Sequence, residues 1–228
     1  GNAKLREKSD ALAGDILFEN TSEKGDIKFI DVTKKAGIYN SALGYGLAIA
    51  TSDFNNDGLM DIYVGNDFHE NDYLYINNGN KTFTESTADY FTSTSRFTMG
   101  VDVADVNNDK KLDLITLDMM PSKSEVFLKS GGEDSDKINE IKKTFGFQQQ
   151  YARNHLQINK GAHFSDVALY SGVHATDWSW SPLLLDYNND GLQDIYITNG
   201  IYKRPNDLDY VNYISNVDFA KYTANEQD

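Results

Sequence analysis

Apolar and polar positions alternate in short bursts along this chain, and each burst ends at a cluster of Asp, Asn or Gly. Ile62 and Val64 alternate with Tyr63, the two-residue period of a half-buried strand. "GLAIATSD" and "GVDVADV" run into Asp-rich clusters, and "DIYVGN" and "DLITLD" run out of them, so each cluster reads as the loop of a hairpin. A second unit sits beside the first. "DYLYINNGNKTFTE" (72–85) matches "NHLQINKGAHFSD" (154–166), with a weaker copy in "DILFENTSEKGDIKFID" (15–31). Each has an apolar strand, a polar turn and a Phe, which again reads as a hairpin.

The two hairpin types follow one another in a fixed order. A turn-Gly hairpin spans 15–38, an Asp-loop hairpin with a turn-Gly hairpin spans 44–91, the same pair recurs over 97–173 around an insert, and a last Asp-loop hairpin covers 174–199. Four strands repeating every fifty or so residues describe the blades of a β-propeller. The chain therefore predicts two whole blades between two half blades, fewer than the usual four to eight of a closed ring. That implies an incomplete propeller, open as an arc or completed by another chain. Two segments break the β pattern. The insert at 121–150 spaces Ile138, Ile141 and Phe145 as a helix does, after Ser135 as a cap. The tail at 205–224 spaces Leu208, Val211 and Ile214 similarly. Both predict helices laid on an all-β scaffold.

Composition narrows the partners. The chain has 228 residues, 39% of them hydrophobic, and a net charge of −14. A surface this acidic excludes nucleic acid, whose phosphates need a basic face, and suits a chain that meets cations. The basic spot at Lys203 and Arg204 is too small to change that. Cysteine is absent, so no disulfide frame or thiolate metal site is available. No apolar run approaches membrane-spanning length.

The Asp loops carry the chemistry. "DFNNDGLMDIYV" (53–64), "DVNNDKKLDLIT" (105–116) and "DYNNDGLQDIYI" (186–197) share the pattern D-x-N-N-D-x-x-x-D. A hard cation such as Ca²⁺ takes six to eight oxygens, which loop positions 1, 3, 5 and the carbonyl of 7 can supply. Asp53, Asn55, Asp57 and the Leu59 carbonyl fit those positions, with Gly58 at the sharp bend. Position 12 is Val64 rather than the Glu of an EF-hand, and the flanks are strands. The closing carboxylate is Asp61, at position 9. Turns use Asp, Asn and Gly for local reasons, but three copies with fixed spacing, and three carboxylates repelling within nine residues, favour a bound cation. Mg²⁺ fits less well because it keeps most of its waters.

"DFNNDGLMDIYVGND", "YLYINNGNKTF" and "TDWSWSPLLLDYNNDGLQDIYITNG" together resemble FG-GAP/VCBS repeat proteins, most closely the large secreted or surface-attached ones of Bacteroidetes-type bacteria. The resemblance covers nearly the whole chain. It implies a propeller like the integrin α-subunit head, with Ca²⁺ in the loop between the first two strands of a blade. The implied ligands are Asp53, Asn55, Asp57, Leu59 and Asp61; then Asp105, Asn107, Asp109, Lys111 and Asp113; then Asp186, Asn188, Asp190, Leu192 and Asp194, with position 7 acting through its carbonyl. The second loop departs at Lys110, where glycine is expected. Family members are usually much longer, which implies a segment of a larger extracellular, cell-surface or periplasmic protein.

Other candidates weigh less. Trp178 and Trp180 offer either a sugar-stacking platform or wedges between blades, and the wedge is the preferred reading. His69, His155, His163 and His174 fit no nucleophile or zinc motif and read as surface residues. The acidic pairs Glu133–Asp134 and Asp207–Asp209 read as solvated helix starts. The expected function is a non-enzymatic calcium-binding module for protein or glycan adhesion. The alternatives are a propeller-type polysaccharide lyase, for which no catalytic base stands out, and an architectural spacer.

Overall fold

The computed structural model describes residues 3–10, 12–130 and 134–225. Strands β1 (Phe18–Asn20) and β2 (Phe29–Asp31) form a hairpin, followed by the short helix α1 (Thr33–Ala36). Strands β3 (Gly46–Ser52), β4 (Asp61–Asn66), β5 (Tyr73–Asn77) and β6 (Phe83–Glu85) make an antiparallel sheet in that order, followed by α2 (Thr87–Tyr90). After β7 (Thr94–Ser95) the order begins again with β8 (Gly100–Ala104) and β9 (Asp113–Leu117). An insert then brings α3 (Ser124–Phe127), α4 (Asp136–Thr144) and β10 (Gln150–Tyr151) before β11 (His155–Asn159), β12 (Phe164–Asp166) and α5 (Ala168–Ser171). The second four-stranded sheet is β8-β9-β11-β12. Strands β13 (Ser179–Leu185) and β14 (Asp194–Asn199) form a two-stranded sheet, and α6 (Leu208–Asn225) follows. The fold is mostly antiparallel β-sheet with few helices, and among the described residues no sheet closes on itself.

The sheets stack on one another through apolar faces. Val64, Tyr73 and Tyr75 pack with Ile38 and Tyr39 on one side of the first full sheet. Phe54, Tyr63, Leu74 and Phe91 meet Leu114 and Phe164 of the second on the other side. Ile115, Leu117, Leu156 and Ile158 then meet Leu184, Ile195 and Ile197 of the two-stranded sheet. A strand in the middle of such a stack is covered on both faces. This corrects the half-buried reading of 62–64: Tyr63 and Val64 are both buried, and Ile62 is partly so. The first strands of successive sheets pass close together. A Cβ on Gly100 would lie 2.3 Å from the Trp180 carbonyl oxygen, so β8 and β13 meet where only glycine fits.

Other expectations need correction. Trp180 is 45% exposed, and its Nε1 donates to the Gly200 carbonyl, so it is no wedge between sheets; Trp178 is half-buried. His155 is fully buried rather than on the surface, because it opens β11, which lies inside the second sheet. Its Nδ1 lies 3.0 Å from the Arg153 carbonyl, and burial pushes its pKa down to about 4. Asp134 is no solvated helix start: it bridges Arg96 (3.1 Å) and Lys142 (2.8 Å). Glu133 lies outside the described residues. Asp207 does cap a helix start, accepting from the amides of Asp209 and Tyr210. Ser135 caps α4, its hydroxyl accepting from the Ile138 amide. Ile138, Ile141 and Phe145 remain half-exposed, so α4 is only partly laid on the scaffold.

Asp72 and Asp118 are both fully buried. Asp72 accepts from the Tyr63 hydroxyl (2.6 Å), the Asn66 amide (2.8 Å) and Thr98 Oγ1 (2.9 Å). Burial outweighs these bonds and pushes its pKa up to about 7. Asp118, held by Ser95 and the amides of Arg96, Phe97 and Met119, is pushed up to about 6 by burial. Both keep their protons in the folded chain where an unfolded Asp, with a pKa of about 4, has lost them. Their contribution to stability is therefore complete below about pH 4 and is lost as pH rises through 6 to 7. Asp72→Asn, neutral at every pH, should show a shallower fall in urea-unfolding stability across that window than the parent chain. Equal slopes would show that Asp72 is ionised throughout.

Candidate metal centres

The three Asp loops adopt one conformation. In the first, Asp53 Oδ1 and Asn55 Oδ1 both accept from the Asp57 amide at 3.0 Å, and Asp53 Oδ2 accepts from Gly58 at 2.8 Å. Asp57 Oδ1 accepts from the Leu59 amide at 2.8 Å, and Asn55 Nδ2 donates to Asp57 Oδ2 at 2.9 Å. The second loop repeats this. The Asp109 amide donates to Asp105 and Asn107, Lys110 to Asp105, Lys111 to Asp109, and Asn107 Nδ2 to Asp109. So does the third. The Asp190 amide donates to Asp186 and Asn188, Gly191 to Asp186, Leu192 to Asp190, and Asn188 Nδ2 to Asp190. In each loop positions 1 and 3 thus share the amide of position 5, position 1 also takes that of position 6, and position 5 takes that of position 7.

Backbone geometry explains residues that the ligand pattern leaves over. Position 4 is left-handed in every loop: Asn56, Asn108 and Asn189 have φ of 59°, 58° and 61°. Asn is among the few non-glycine residues that reach this region readily. The doubled Asn is therefore one oxygen donor and one bend. Position 6 is left-handed too, with Gly58 and Gly191 at 85° and 86° and Lys110 at 68°.

Position 9 anchors the loop. Asp61 is fully buried, and its Oδ2 accepts from the Phe54 amide (2.9 Å) and its Oδ1 from the Asn77 amide (2.8 Å). Asp113 does the same with Val106 (3.0 Å) and Asn159 (2.8 Å). Burial raises the pKa of both, opposed by those amides and reinforced by the Asp residues at positions 5 and 1. Asp194 is less enclosed and, among the described residues, keeps only the first bond, from Tyr187, at 3.4 Å. Sequence reasoning missed Asn77 and Asn159. Each belongs to the next hairpin, donates through Nδ2 to the carbonyl of position 8 (Met60 or Leu112), and accepts from the turn glycine amide. The signal was there in the repeated N-x-G of "INNG" and "INKG".

A hard cation suits this oxygen set. Each loop offers two carboxylates, one Asn carbonyl and a backbone carbonyl, with a third carboxylate fixed at its base. A carboxylate oxygen bonded to one amide still has a lone pair for an ion. Among the described residues no three His, Asp or Glu side chains come together closely enough to hold an ion by themselves, so a site here needs the Asn and backbone oxygens as well.

The region spanning the first two loops matches the family model described as FG-GAP-like repeat, over residues 53–116. The matched repeat starts at the first Asp of one loop and ends inside β9, just beyond the second loop. The third loop lies outside the match and has the same internal hydrogen bonds. A stretch of 101 residues is 32% identical to cartilage acidic protein 1 of Xenopus tropicalis, covering 43% of this chain and 15% of that protein. No helix among the described residues is long and apolar enough to cross a membrane.

Proposed function

We propose that this chain is a calcium-stabilised, non-catalytic segment of an extracellular β-propeller that binds a protein or glycan, one ion sitting in each Asp loop. The observation that carries it is the hydrogen-bond pattern repeated in three loops far apart in sequence. Each four-stranded sheet is read as a blade, with β3, β8 and β13 innermost. Binding free energy adds to folding because the ligands converge only in the folded hairpin. Affinities of about 10⁻⁴–10⁻³ M, typical of extracellular modules, suit a compartment rich in Ca²⁺. Incubation with acidic polysaccharides, with and without Ca²⁺, separates this reading from a lyase. The expected result is retention of a glycan or no interaction, with chain length unchanged. Depolymerisation would overturn the non-catalytic reading.

The loops should differ in strength. Lys110 holds a left-handed conformation that costs a Cβ-bearing residue on the order of 1 kcal/mol. Lys111 Nζ lies 3.4 Å from Asp109 Oδ2, placing a competing positive charge at the position-5 carboxylate. The second loop is therefore the weakest. Lys110→Gly should tighten it about fivefold, as recovery of that cost implies. Calcium titrations giving the variant and the parent the same weakest constant would count against the backbone argument.

A further inference from the structure

The closing carboxylates of the first two Asp loops are joined by a buried path of hydrogen bonds. The Phe54 amide donates to Asp61 Oδ2 at 2.9 Å, and the Phe54 carbonyl accepts from Asn159 Nδ2 at 2.9 Å. The Asn159 amide then donates to Asp113 Oδ1 at 2.8 Å. Asp61, Phe54, Asn159 and Asp113 are all fully buried. We propose that Asn159, a residue of the second whole sheet, is a positioning residue for both cation sites and couples them, so that an ion in either loop raises the affinity of the other. This rests on the calcium reading above.

The coupling follows from what Asn159 holds. Its Oδ1 accepts from the Gly161 amide, which fixes the orientation of the side chain. Its two Nδ2 protons go to the carbonyls of Leu112 (3.2 Å) and Phe54. Leu112 is position 8 of the second loop. Phe54 is position 2 of the first, immediately before the candidate ligand Asn55. One side chain therefore ties the end of one loop to the start of the other. Asn77 does the corresponding work within its own sheet only: among the described residues its Nδ2 donates to Met60 alone. The ring of Phe54 is held from the same side, since Phe164, opposite Asn159 in the β11–β12 pairing, meets it edge-on at 6.1 Å. Asn159 cannot release either loop without leaving a buried polar group unpaired.

Ordering carries the coupling from loop to loop. An ion that fixes Asp113 and the second loop holds Asn159 in place, and the Phe54 carbonyl with it. The first loop then has less conformational freedom to lose when it binds, which is positive cooperativity. Coupling between two binding equilibria is reciprocal, so the first loop helps the second equally. A filled loop also attracts a second ion less strongly, an opposing effect that salt screens. The third loop has a looser tie. Asn108 Nδ2 donates to the Gly191 carbonyl at 3.2 Å, but both residues are exposed and water competes for that bond.

Calcium titration in physiological salt, followed by the NMR amide resonances of Gly58, Lys110 and Gly191, reads the loops separately. Each of these amides donates to the first Asp of its own loop. The second loop, being the weakest, fills after the first in the parent chain and so shows its coupled affinity. Asp57→Asn takes a ligand charge from the first loop and keeps an oxygen for the Leu59 amide. It should weaken the second site about fivefold, although no residue of that loop has changed. Asn159→Ala keeps the backbone bond to Asp113 and removes Nδ2 from Phe54. It should weaken the first two sites, leave the third unchanged as evidence of folding, and abolish the effect of Asp57→Asn on the second; Asn159→Ser serves if Ala unfolds the chain. A second site with the parent's affinity in Asp57→Asn would overturn the coupling, whether or not the Asn159 variants fold. An Asp57→Asn effect that persists in the Asn159 variant would overturn the role of that residue. Parent-chain resonances that do not move with Ca²⁺ would overturn the calcium reading, and the coupling with it.

Discussion

Thermal unfolding in millimolar Ca²⁺ is expected well above unfolding in chelator, and this is the largest effect the loops imply. A site with a Kd of about 10⁻⁴ M, at about a tenfold excess of Ca²⁺, contributes about 1.4 kcal/mol. In a chain of this size each kcal/mol moves the midpoint by about 2–4 °C. The two glycine-containing loops alone therefore predict a shift of about 6–11 °C by the same arithmetic. Charge acts in the same direction, since three divalent ions would offset six of the fourteen net negative charges. Mg²⁺ at equal concentration should shift the midpoint far less, because it gives up its waters reluctantly. Acid should weaken the calcium effect, since burial raises the pKa of Asp61 and Asp113 and protons then compete for those oxygens. Coincident melting curves in calcium and chelator would leave the loops as purely structural turns.

The second large effect is expected at Phe54. It occupies position 2 of the first loop, is fully buried, and meets Phe164 edge-on at 6.1 Å across the boundary between the two whole sheets. Its amide is one of the two donors to Asp61. Phe54→Ala leaves a cavity at that boundary and should cost about 3–5 kcal/mol in urea unfolding. It also loosens the loop's attachment, so Ca²⁺ binding at Asp53–Asp61 should weaken while the Asp186–Asp194 loop is unaffected. A loss below about 1 kcal/mol, the size of an ordinary single substitution, would mean the two sheets are not packed through this ring.

Strand order was legible in the sequence because hairpin units repeat with their turn residues in register, and a repeated pattern averages out local ambiguity. The short helices α1, α2 and α5 were not, since four residues are too few to show a helical period. The parallel pairing of β7 with β10 was also missed: each strand has two residues, and they lie on either side of the insert. Burial was misjudged wherever stacking covers a second face, as at Tyr63 and His155, because alternation along one strand reports only that strand's own sheet. At the loops, the oxygen donors stood out as a pattern. Asn77 and Asn159 did not, because their partners Asp61 and Asp113 come from a different hairpin and only folding brings them together.

Isothermal titration of Ca²⁺ into the metal-free chain tests the central claim most directly. The account predicts binding to three sites per chain, one weaker than the others and strengthened by Lys110→Gly. It also predicts loss of one site when Asp57 or Asp190 is replaced by Ala. A titration with no binding heat at any pH where the aspartates are ionised, supported by equilibrium dialysis showing no retained calcium, would contradict it.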